Sequence, residues 1–411
     1  MKRLSFPRED IRVLLLEGVS SSAHEHLRTA GYTNLDIRNH ALQGDELVAA
    51  LRDAHVVGIR SRTQLTSEVL GHARRLFAIG CFCIGTNQVD VAAARRLGIP
   101  VFNAPYSNTR SVAELVVAEA ILLLRRIPEK NLQAHRGTWT KSAKDSFEAR
   151  GKTLGIVGYG HIGSQVGVLA ESMGMHVLYH DIEPKLALGN ARPANGLGQL
   201  LRESDVVTLH VPETSSTADM IGAPELDAMR PGSALINASR GNVVVIDALV
   251  ERLRSGHLAG AAVDVFPTEP KSNTDPFQSP LVDLDNVLLT PHVGGSTEEA
   301  QQNIGREVAE KLVRYSDNGS TLSAVEFPEV TLPEHDGSRR LLHIHENRPG
   351  MLSSINECIA ASEANVDSQF LQTVADVGYV VVDLDTTAER ASDLREQLAR
   401  LDGTLRTRIL Y

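Results

Sequence analysis

The run Thr153-Leu154-Gly155-Ile156-Val157 leads directly into Gly158-Tyr159-Gly160-His161-Ile162-Gly163. The first run is apolar and strand-like, and the residues after the glycines have the apolar spacing of a helix. A second strand-like run then ends at Asp181, 18 residues beyond Gly163. In this context backbone N–H groups and a helix N-terminus bind a pyrophosphate, and the acid binds ribose hydroxyls. These residues predict a dinucleotide-binding βαβ unit, and an acid at position 181 favours NAD because a carboxylate repels a 2′-phosphate.

Apolar strand-like runs alternate with helical stretches over the first hundred residues and again from Lys152 to about residue 292. Such alternation predicts parallel sheets with helices on both faces. One long helix is expected at about Ser111 to His135, and a helix at Ser296 to Tyr315 is expected to pack back on the first sheet. The fold class predicted is therefore α/β, with two doubly wound, Rossmann-like domains, the second inserted in the first.

The pattern changes after residue 315. Residues 316–338 contain two prolines and several Asp, Asn, Gly and Ser residues, which indicates a linker. Beyond it, strand-like and helix-like runs follow in the order βαββαβ, which is the ferredoxin-like motif. The tail is too short to be a second catalytic unit.

Composition restricts the function. The chain has 411 residues and a formal net charge of -10, which argues against non-specific binding to nucleic acid or to an anionic membrane. An anionic substrate would therefore need a local cluster of arginines. The N-terminus has no apolar signal core and no long apolar run follows, so a cytoplasmic protein is expected. Three cysteines predict neither a disulfide framework nor a metal site.

Three polar residues each follow a strand-like run, namely Arg240, Glu269 and His292. Because parallel strands end at one edge of a sheet, we expect these side chains to meet where open α/β folds bind ligands. A guanidinium can hold a carboxylate with two hydrogen bonds. A glutamate beside an imidazole raises the imidazole pKa and fixes its tautomer, which suits proton transfer near neutral pH. Taken alone, each residue would more often form a surface salt bridge or be a structural histidine.

Several motifs stand in an order typical of one enzyme family. They are the glycine turn, residues 102–105, residues 107–114, Ile236-Asn237-Ala238-Ser239-Arg240-Gly241, residues 262–270, and Thr290-Pro291-His292-Val293-Gly294-Gly295. In this order they resemble the D-isomer-specific 2-hydroxyacid dehydrogenases, essentially from Ile11 to Tyr411. The run from His343 to Gly350 looks like an ACT regulatory domain.

The resemblance implies a role for each matching position. The catalytic set would be Arg240, Glu269 and His292. The NAD contacts would be Gly158, Gly160, His161, Ile162, Gly163, Asp181, Ala238, Ser239, Arg240, Asp264, His292, Val293, Gly294 and Gly295. The anionic end of the substrate would meet Arg60, Ser61 and Arg62, with Asn108 capping the long helix beside them. Without the resemblance, the two arginines would more often be a solvated surface pair.

The same resemblance implies four segments and a reaction. Residues 1–107 and 295–337 would form the substrate-binding domain with its return helix and linker, residues 108–294 the NAD-binding domain, and residues 338–411 the ACT domain. The reaction would be NAD-dependent oxidation of 3-phospho-D-glycerate to 3-phosphooxypyruvate, the first step of L-serine biosynthesis. Two alternatives remain open at this point: reversible reduction of 2-oxoglutarate to 2-hydroxyglutarate, and an NADH-sensing binding protein.

Assembly and regulation are further expectations. Trp139, the single tryptophan, follows the long helix, and the resemblance implies that it packs against a neighbouring chain in a homotetramer. L-Serine is the expected allosteric inhibitor, held by His345 and Asn347 of one tail and Asn365 of another. Motion through the linker and through Gly294-Gly295 would carry the signal. The sequence leaves open the serine affinity, the preference between the two hydroxy acids, and the effect of Asp336-Gly337-Ser338 in the linker.

Overall fold

The computed structural model describes residues 7–270, 274–334 and 339–410, and the chain divides into two compact units. The first unit comprises residues 1–107 and 301–411, and the second comprises residues 108–300. The first unit contains a parallel α/β sheet and an antiparallel C-terminal sheet, and the second contains a parallel α/β sheet. The predicted fold class is confirmed.

The first unit begins with a parallel sheet in the strand order β2-β1-β3-β4-β5. Its strands are β1 Val13–Leu15, β2 Leu35–Ile37, β3 Val56–Ile59, β4 Ala78–Cys81 and β5 Val101–Phe102. The helices that follow the first four strands are α1 Ser21–Thr29, α2 Gly44–Leu51, α3 Ser67–His72 and α4 Val91–Arg96. Strands β1, β3, β4 and β5 are buried throughout, as expected for a sheet covered on both faces. The short strand β2 had no sequence signal, because it is three residues long and Asp36 is at its centre.

The second unit is built on a parallel sheet of seven strands in the order β12-β11-β10-β9-β6-β7-β8. The strands are β6 Thr153–Val157, β7 His176–His180, β8 Arg192–Pro193, β9 Val206–Leu209, β10 Ala234–Asn237, β11 Gly260–Val263 and β12 Val287–Leu289. The helices between them are α7 His161–Ser172, α8 Leu197–Glu203, α9 Ala223–Ala228 and α10 Ile246–Arg254. Strand order reverses between β6 and β9, so the glycine turn after β6 lies at the switch point where such sheets bind ligands.

The single long helix predicted over residues 111–135 is wrong in one respect. It is two helices, α5 Thr109–Leu124 and α6 Ile127–His135. Arg126 adopts a left-handed conformation with φ 53°, and Pro128 lies in the first turn of α6. In a continuous helix Pro128 could not donate to the carbonyl of Leu124 and its ring would clash with that carbonyl, whereas proline is tolerated in the first turn of a new helix. Among the helices within the described ranges, none combines the length and apolar composition that crossing a lipid bilayer requires.

The C-terminal module is a four-stranded antiparallel sheet in the order β14-β15-β13-β16. Its elements are β13 Arg339–Glu346, α12 Met351–Ala361, β14 Asn365–Val374, β15 Val377–Asp385, α13 Ala388–Ala399 and β16 Thr404–Leu410. This is the predicted βαββαβ order. Helix α11, Glu298–Asn318, precedes it in the chain.

One face of this antiparallel sheet belongs to the hydrophobic core of the first unit. Leu342, Ile344 and Tyr379 pack in the same buried cluster as Phe77 and Tyr315. Tyr379 also donates a hydrogen bond from its hydroxyl to the Gly319 carbonyl at 2.7 Å. The module is therefore packed continuously onto the first α/β sheet and its final helix.

The prediction of a linker over residues 316–338 is wrong for its described part. Ser320 and Thr321 are buried, and the Thr321 hydroxyl accepts from Val330 N at 2.8 Å and donates to Pro328 O at 2.7 Å. Ser320 Oγ accepts from Leu332 N at 3.0 Å. The serine and threonine side chains satisfy the segment's own backbone, which allows an irregular segment to be buried. The expected hinge residues Asp336-Gly337-Ser338 lie outside the described residues.

Candidate active site

The glycine turn after β6 has the close packing that its glycines allow. Gly158 has φ +90°, and a Cβ on this residue would overlap the carbonyl oxygen of His210. A Cβ on Gly163 would overlap the Gly158 carbonyl, whereas one on Gly160 would meet no heavy atom within 4 Å. The turn is therefore tight on the side of the sheet and open at Gly160, where helix α7 begins. This arrangement fits the pyrophosphate of a dinucleotide.

Asp181, the acid expected at the ribose, lies against this turn. It follows β7, and its Oδ2 accepts a hydrogen bond from Tyr159 N at 2.8 Å. Its Oδ1 accepts from Glu183 N at 3.0 Å. The structure thus brings the acid and the glycine turn together, as the sequence spacing predicted. His161 and Ile162 open helix α7 beside them.

The loop that carries Arg240 is built by the side chain of Asn237, the last residue of β10. Asn237 Oδ1 accepts from Ser239 N at 3.1 Å and from Ser239 Oγ at 2.8 Å. Its Nδ2 donates to Arg240 O at 3.0 Å. Asn237 was not predicted as a site residue. Its position before Ala238-Ser239-Arg240 is the one signal that could have identified it, since asparagine side chains often bond backbone groups two residues on.

Glu269 and His292 form a direct pair. His292 Nδ1 is 2.9 Å from Glu269 Oε2 and 3.1 Å from Oε1, and Glu269 Oε1 also accepts from Phe266 N at 3.1 Å. Because the carboxylate can only accept, Nδ1 carries the hydrogen, which leaves Nε2 with its lone pair. Nε2 is therefore the atom that can take a proton.

Electrostatics in this pair favour proton transfer. The hydrogen bond to Glu269 raises the pKa of His292 above its usual value, against the effect of burial. Burial alone would raise the pKa of Glu269, but its hydrogen bonds from His292 and from Phe266 N lower it overall. The charge of Arg240 lowers the pKa of both residues, so it acts on the same site. The backbone supports this proximity, since a Cβ on Gly241 would overlap the carbonyl of Phe266.

The loop after β12 is held by the buried carboxylate of Asp264, which was expected as an NAD contact. Asp264 accepts hydrogen bonds from Thr290 Oγ1 at 2.6 Å, Val293 N at 2.8 Å and Gly294 N at 2.9 Å. His292 lies between these contacts in a left-handed conformation with φ 54°, which is unfavourable for a residue with a side chain. The Asp264 contacts on either side of His292 hold its backbone in this conformation.

A second buried acid, Glu119 on α5, lies close enough to Asp264 for the charge of Asp264 to affect the ionisation of Glu119. Burial, and to a smaller extent the charge of Asp264, raise the pKa of Glu119 to about 8. A neutral acid at this position avoids repulsion between two buried carboxylates. Glu119 was not predicted as a site residue, because it lies in a helix among apolar neighbours.

Asn108 differs from its expected role. It occupies the N-cap position of α5, but its side chain makes no capping hydrogen bond, so the predicted cap is wrong. The side chain is turned instead toward Gly295, where a Cβ would overlap its Nδ2. A Cβ on Gly294 would come within 2.9 Å of Asp264 Oδ2. The two glycines are therefore required for close approach by Asn108 and Asp264.

The predicted anion-binding residues belong to the first unit. Arg60, Ser61 and Arg62 follow β3, with Arg60 half-buried and the other two exposed. The backbone amides of Arg60 and Arg62 donate to the carboxylate of Glu17. Glu17 thus holds the backbone of the turn that carries the two arginine side chains.

The residues predicted to bind serine are in the C-terminal module. Asn347 is exposed and donates to Ala375 O at 3.0 Å, and Asn365 is exposed at the start of β14. His345 is buried within β13, where its ring leaves no room for a Cβ on Gly378 and stacks on His343 with centroids 5.5 Å apart. The sequence placed His345 beside an open pocket, but in the single chain its ring is part of the module's interior.

Comparison with known proteins identifies both parts of the chain. Residues 117–294 match the model of the D-isomer specific 2-hydroxyacid dehydrogenase NAD binding domain, and residues 341–406 match that of the AHAS small subunit-like ACT domain. The D-3-phosphoglycerate dehydrogenase of Escherichia coli strain K12 is 60% identical over 411 residues, which is 100% of both chains. The D-3-phosphoglycerate dehydrogenase of Dictyostelium discoideum is 46% identical over 407 residues, 99% of both chains.

A solved structure agrees with these relatives. D-lactate dehydrogenase from Aquifex aeolicus, complexed with NAD and lactic acid, superposes with a TM-score of 0.65 at 27% identity, covering 74% of this chain and 95% of that one. The resemblance inferred from the motifs is confirmed, as is NAD as the cofactor. The chain therefore belongs to the D-isomer-specific 2-hydroxyacid dehydrogenase family and is an NAD-dependent enzyme of that family.

Proposed function

We propose that the enzyme oxidises 3-phospho-D-glycerate at C2 to 3-phosphooxypyruvate, the entry to L-serine synthesis. The observation that carries the proposal is the His292–Glu269 pair, with Nδ1 held at 2.9 Å and Nε2 available, in a site that Arg240 influences. The names of the full-length relatives support the choice of substrate. When bound, NAD accepts the hydride from C2.

The roles of the protein groups follow from their chemistry. His292 Nε2 takes the proton of the substrate hydroxyl, and Glu269 stabilises the imidazolium that forms. Arg240 holds the substrate carboxylate, because a planar guanidinium offers two parallel N–H donors. The glycine turn, Asp181, Ala238 and Ser239, with the residues 292–295, hold the cofactor. Asp264 keeps the His292 loop in place.

The phosphate of the substrate is assigned to Arg60 and Arg62, with Ser61 between them. Both arginines stand on one turn after β3 and expose part of their side chains. Arginine suits a phosphate because its donors match the spacing of two phosphate oxygens. A second carboxylate could occupy the same place, which keeps 2-hydroxyglutarate as a secondary substrate.

Initial rates test this proposal. We expect NADH formation with 3-phospho-D-glycerate. In His292→Ala we expect kcat to fall by about a hundredfold or more. Measuring kcat/KM for 3-phospho-D-glycerate and for 2-hydroxyglutarate shows which substrate is primary. NAD binding without turnover on either compound would overturn the proposal and favour NADH sensing.

L-Serine is the proposed feedback inhibitor, bound between two C-terminal modules. Asn365 pairs with Asp385 at one end of β15, while Glu346, next to Asn347, pairs with Val377 at the other end. At about 3.3 Å per residue the two asparagines are therefore roughly 25 Å apart in one chain. They cannot line one pocket within a single module.

Pairing of two modules through the edge strand β14 would remove this separation. Two copies of β14 related by a two-fold axis run antiparallel, so the start of one strand lies beside the end of the other. Val374 at the end of β14 pairs with Val377, as Glu346 does. Asn365 of a second copy would then approach Asn347, with His345 beneath them.

The test is inhibition of the full chain. We expect L-serine to lower turnover of the wild type, and Asn347→Ala and Asn365→Ala each to weaken the response. Equal serine sensitivity of wild type and both variants would contradict the assignment. Truncation is a poor test, because removing the module would expose Phe77 and Tyr315 of the shared core.

A homotetramer is the proposed assembly. Trp139 is 88% exposed, which is unusual for the largest apolar side chain. On the second unit, α5 and α7 also leave a surface cavity lined by Val117, Ile121, Leu169 and Met173. Light scattering should give four times the chain mass, with a smaller particle for Trp139→Ala. A monomeric wild type would contradict the proposal.

A further inference from the structure

The turn that carries the predicted phosphate ligands is held by one acidic residue that follows the neighbouring strand β1. Glu17 lies two residues beyond β1 and is buried, with 9% of its surface exposed. Its backbone is left-handed, with φ +64°, which residues other than glycine rarely adopt. A strained backbone and a buried carboxylate at one residue indicate that the position serves a specific purpose.

Both carboxylate oxygens of Glu17 accept hydrogen bonds from the turn after β3. Glu17 Oε1 accepts hydrogen bonds from Arg60 N at 3.2 Å and Thr63 N at 2.9 Å, and Oε2 accepts from Arg62 N at 2.9 Å. These contacts reach the backbone amides of the arginines and leave the charge of the guanidinium groups to other partners. A carboxylate suits three converging donors because both of its oxygens accept.

The same turn is also fixed from its other side. Gln88 Nε2 donates to Arg60 O at 2.5 Å, and the sulfur of Cys83 lies 3.6 Å from the same oxygen. Both backbone polar groups of Arg60 therefore have defined partners. The conformation of the turn is therefore set by side chains from the segments after β1 and after β4.

We infer that Glu17 is a positioning residue for recognition of the substrate phosphate, acting through the backbone of residues 60–63. This inference rests on the proposed oxidation of 3-phospho-D-glycerate and on Arg60 and Arg62 as its phosphate ligands. Glu17 does not touch the substrate; it orients the residues that do. It thereby sets the preference for a phosphorylated hydroxy acid over one without phosphate.

Glu17→Gln is the sharpest test, because glutamine has the same shape but presents an NH2 group to one set of amide donors. We expect kcat/KM for 3-phospho-D-glycerate to fall about tenfold or more relative to kcat/KM for D-glycerate, which lacks the phosphate. The loss should appear in KM for the phosphorylated substrate, with KM for NAD within about twofold of wild type. Glu46→Gln is the matched control, since it removes an exposed charge in the same unit.

The outcomes separate this inference from the proposed function. If the wild type does not prefer the phosphorylated substrate, or Arg60→Ala and Arg62→Ala retain that preference, the phosphate assignment itself fails. If those variants lose the preference and Glu17→Gln keeps it, the inference about Glu17 is overturned. An equal loss on both substrates would also overturn it, because a purely structural role affects them alike.

A variant from the opposite side of the turn covers the case in which Glu17→Gln does not fold. Gln88→Ala removes the donor to Arg60 O and leaves the Glu17 contacts in place. We expect the same selective loss on 3-phospho-D-glycerate, smaller in size. An unchanged preference in a folded Gln88→Ala enzyme would count against a turn whose backbone sets phosphate recognition.

Discussion

Asp264→Asn should reduce turnover by loosening the loop that carries His292. The carboxylate is 2% exposed and accepts three hydrogen bonds, from Thr290 Oγ1, Val293 N and Gly294 N. Asparagine has one acceptor oxygen. If that oxygen replaces Oδ1 and keeps its two bonds, the amide NH2 points at Gly294 N–H, and two donors then face each other.

The size of the effect follows from the hydrogen bond that the asparagine cannot accept. A hydrogen bond to a charged acceptor contributes roughly 1.5–3 kcal/mol. Loss of the Gly294 bond should therefore cost the observed loop conformation about 2 kcal/mol, which corresponds to roughly a 30-fold change in rate. His292 already has a left-handed backbone, so the loop has other conformations to adopt once a contact is lost.

The assay is the initial rate of NADH formation over a range of substrate and NAD concentrations, with thermal unfolding measured in parallel. Thr290→Val is the matched control, because it removes one hydrogen bond and keeps the carboxylate with both amide contacts. We expect Thr290→Val to lose less kcat/KM than Asp264→Asn, because the carboxylate keeps both loop amides and no two donors are brought face to face. An Asp264→Asn enzyme whose kcat/KM falls no further than that of Thr290→Val would refute the reasoning.

Three more predictions concern the catalytic pair, the glycine turn and a buried ion pair. Glu269→Gln should lower the pKa of His292, because it removes the carboxylate that raises this pKa. Oxidation needs a neutral imidazole, so the acidic limb of the pH profile of kcat/KM should move to lower pH. An unmoved limb would count against the pairing. Gly158→Ala should weaken NAD binding about tenfold or more in a fluorescence titration, because its Cβ would meet backbone; normal affinity would contradict this. In the wild type, buried Arg340 donates to Asp383 at 2.6 and 2.9 Å. Asp383→Asn removes this counter-charge and should lower the free energy of unfolding, measured in urea, by about 3 kcal/mol. A loss below about 1 kcal/mol would argue against that geometry.

Local sequence signals predicted the parts of this fold that depend on near neighbours. The order of strands and helices follows from hydrophobic period, and the cofactor site follows from a glycine turn and an acid at fixed spacing. Glu269 and His292 could be paired in advance because each follows a strand of one parallel sheet. The carboxyl ends of such strands must meet at one edge.

Other features depend on contacts between residues distant in the chain. Glu17 and the turn it holds are 43 to 46 residues apart, and nothing in either segment alone indicates the contact. The segment from residue 316 has the composition of a linker, yet Ser320 and Thr321 are buried and bond the segment's own backbone. His345 has the sequence context of an open turn but lies inside a sheet, because β13 continues to Glu346.

The shared core of the C-terminal module has a consequence for how such an enzyme can be altered. A regulatory cassette joined through a flexible tether can be exchanged between proteins by cutting the tether. Here Leu342, Ile344 and Tyr379 pack directly on side chains of the first α/β sheet and its last helix. A transplanted module would have to bring matching side chains for Phe77 and Tyr315 with it. Grafting a new effector specificity onto this scaffold should therefore proceed by redesigning the exposed edge of β14, with the buried face of the sheet left intact.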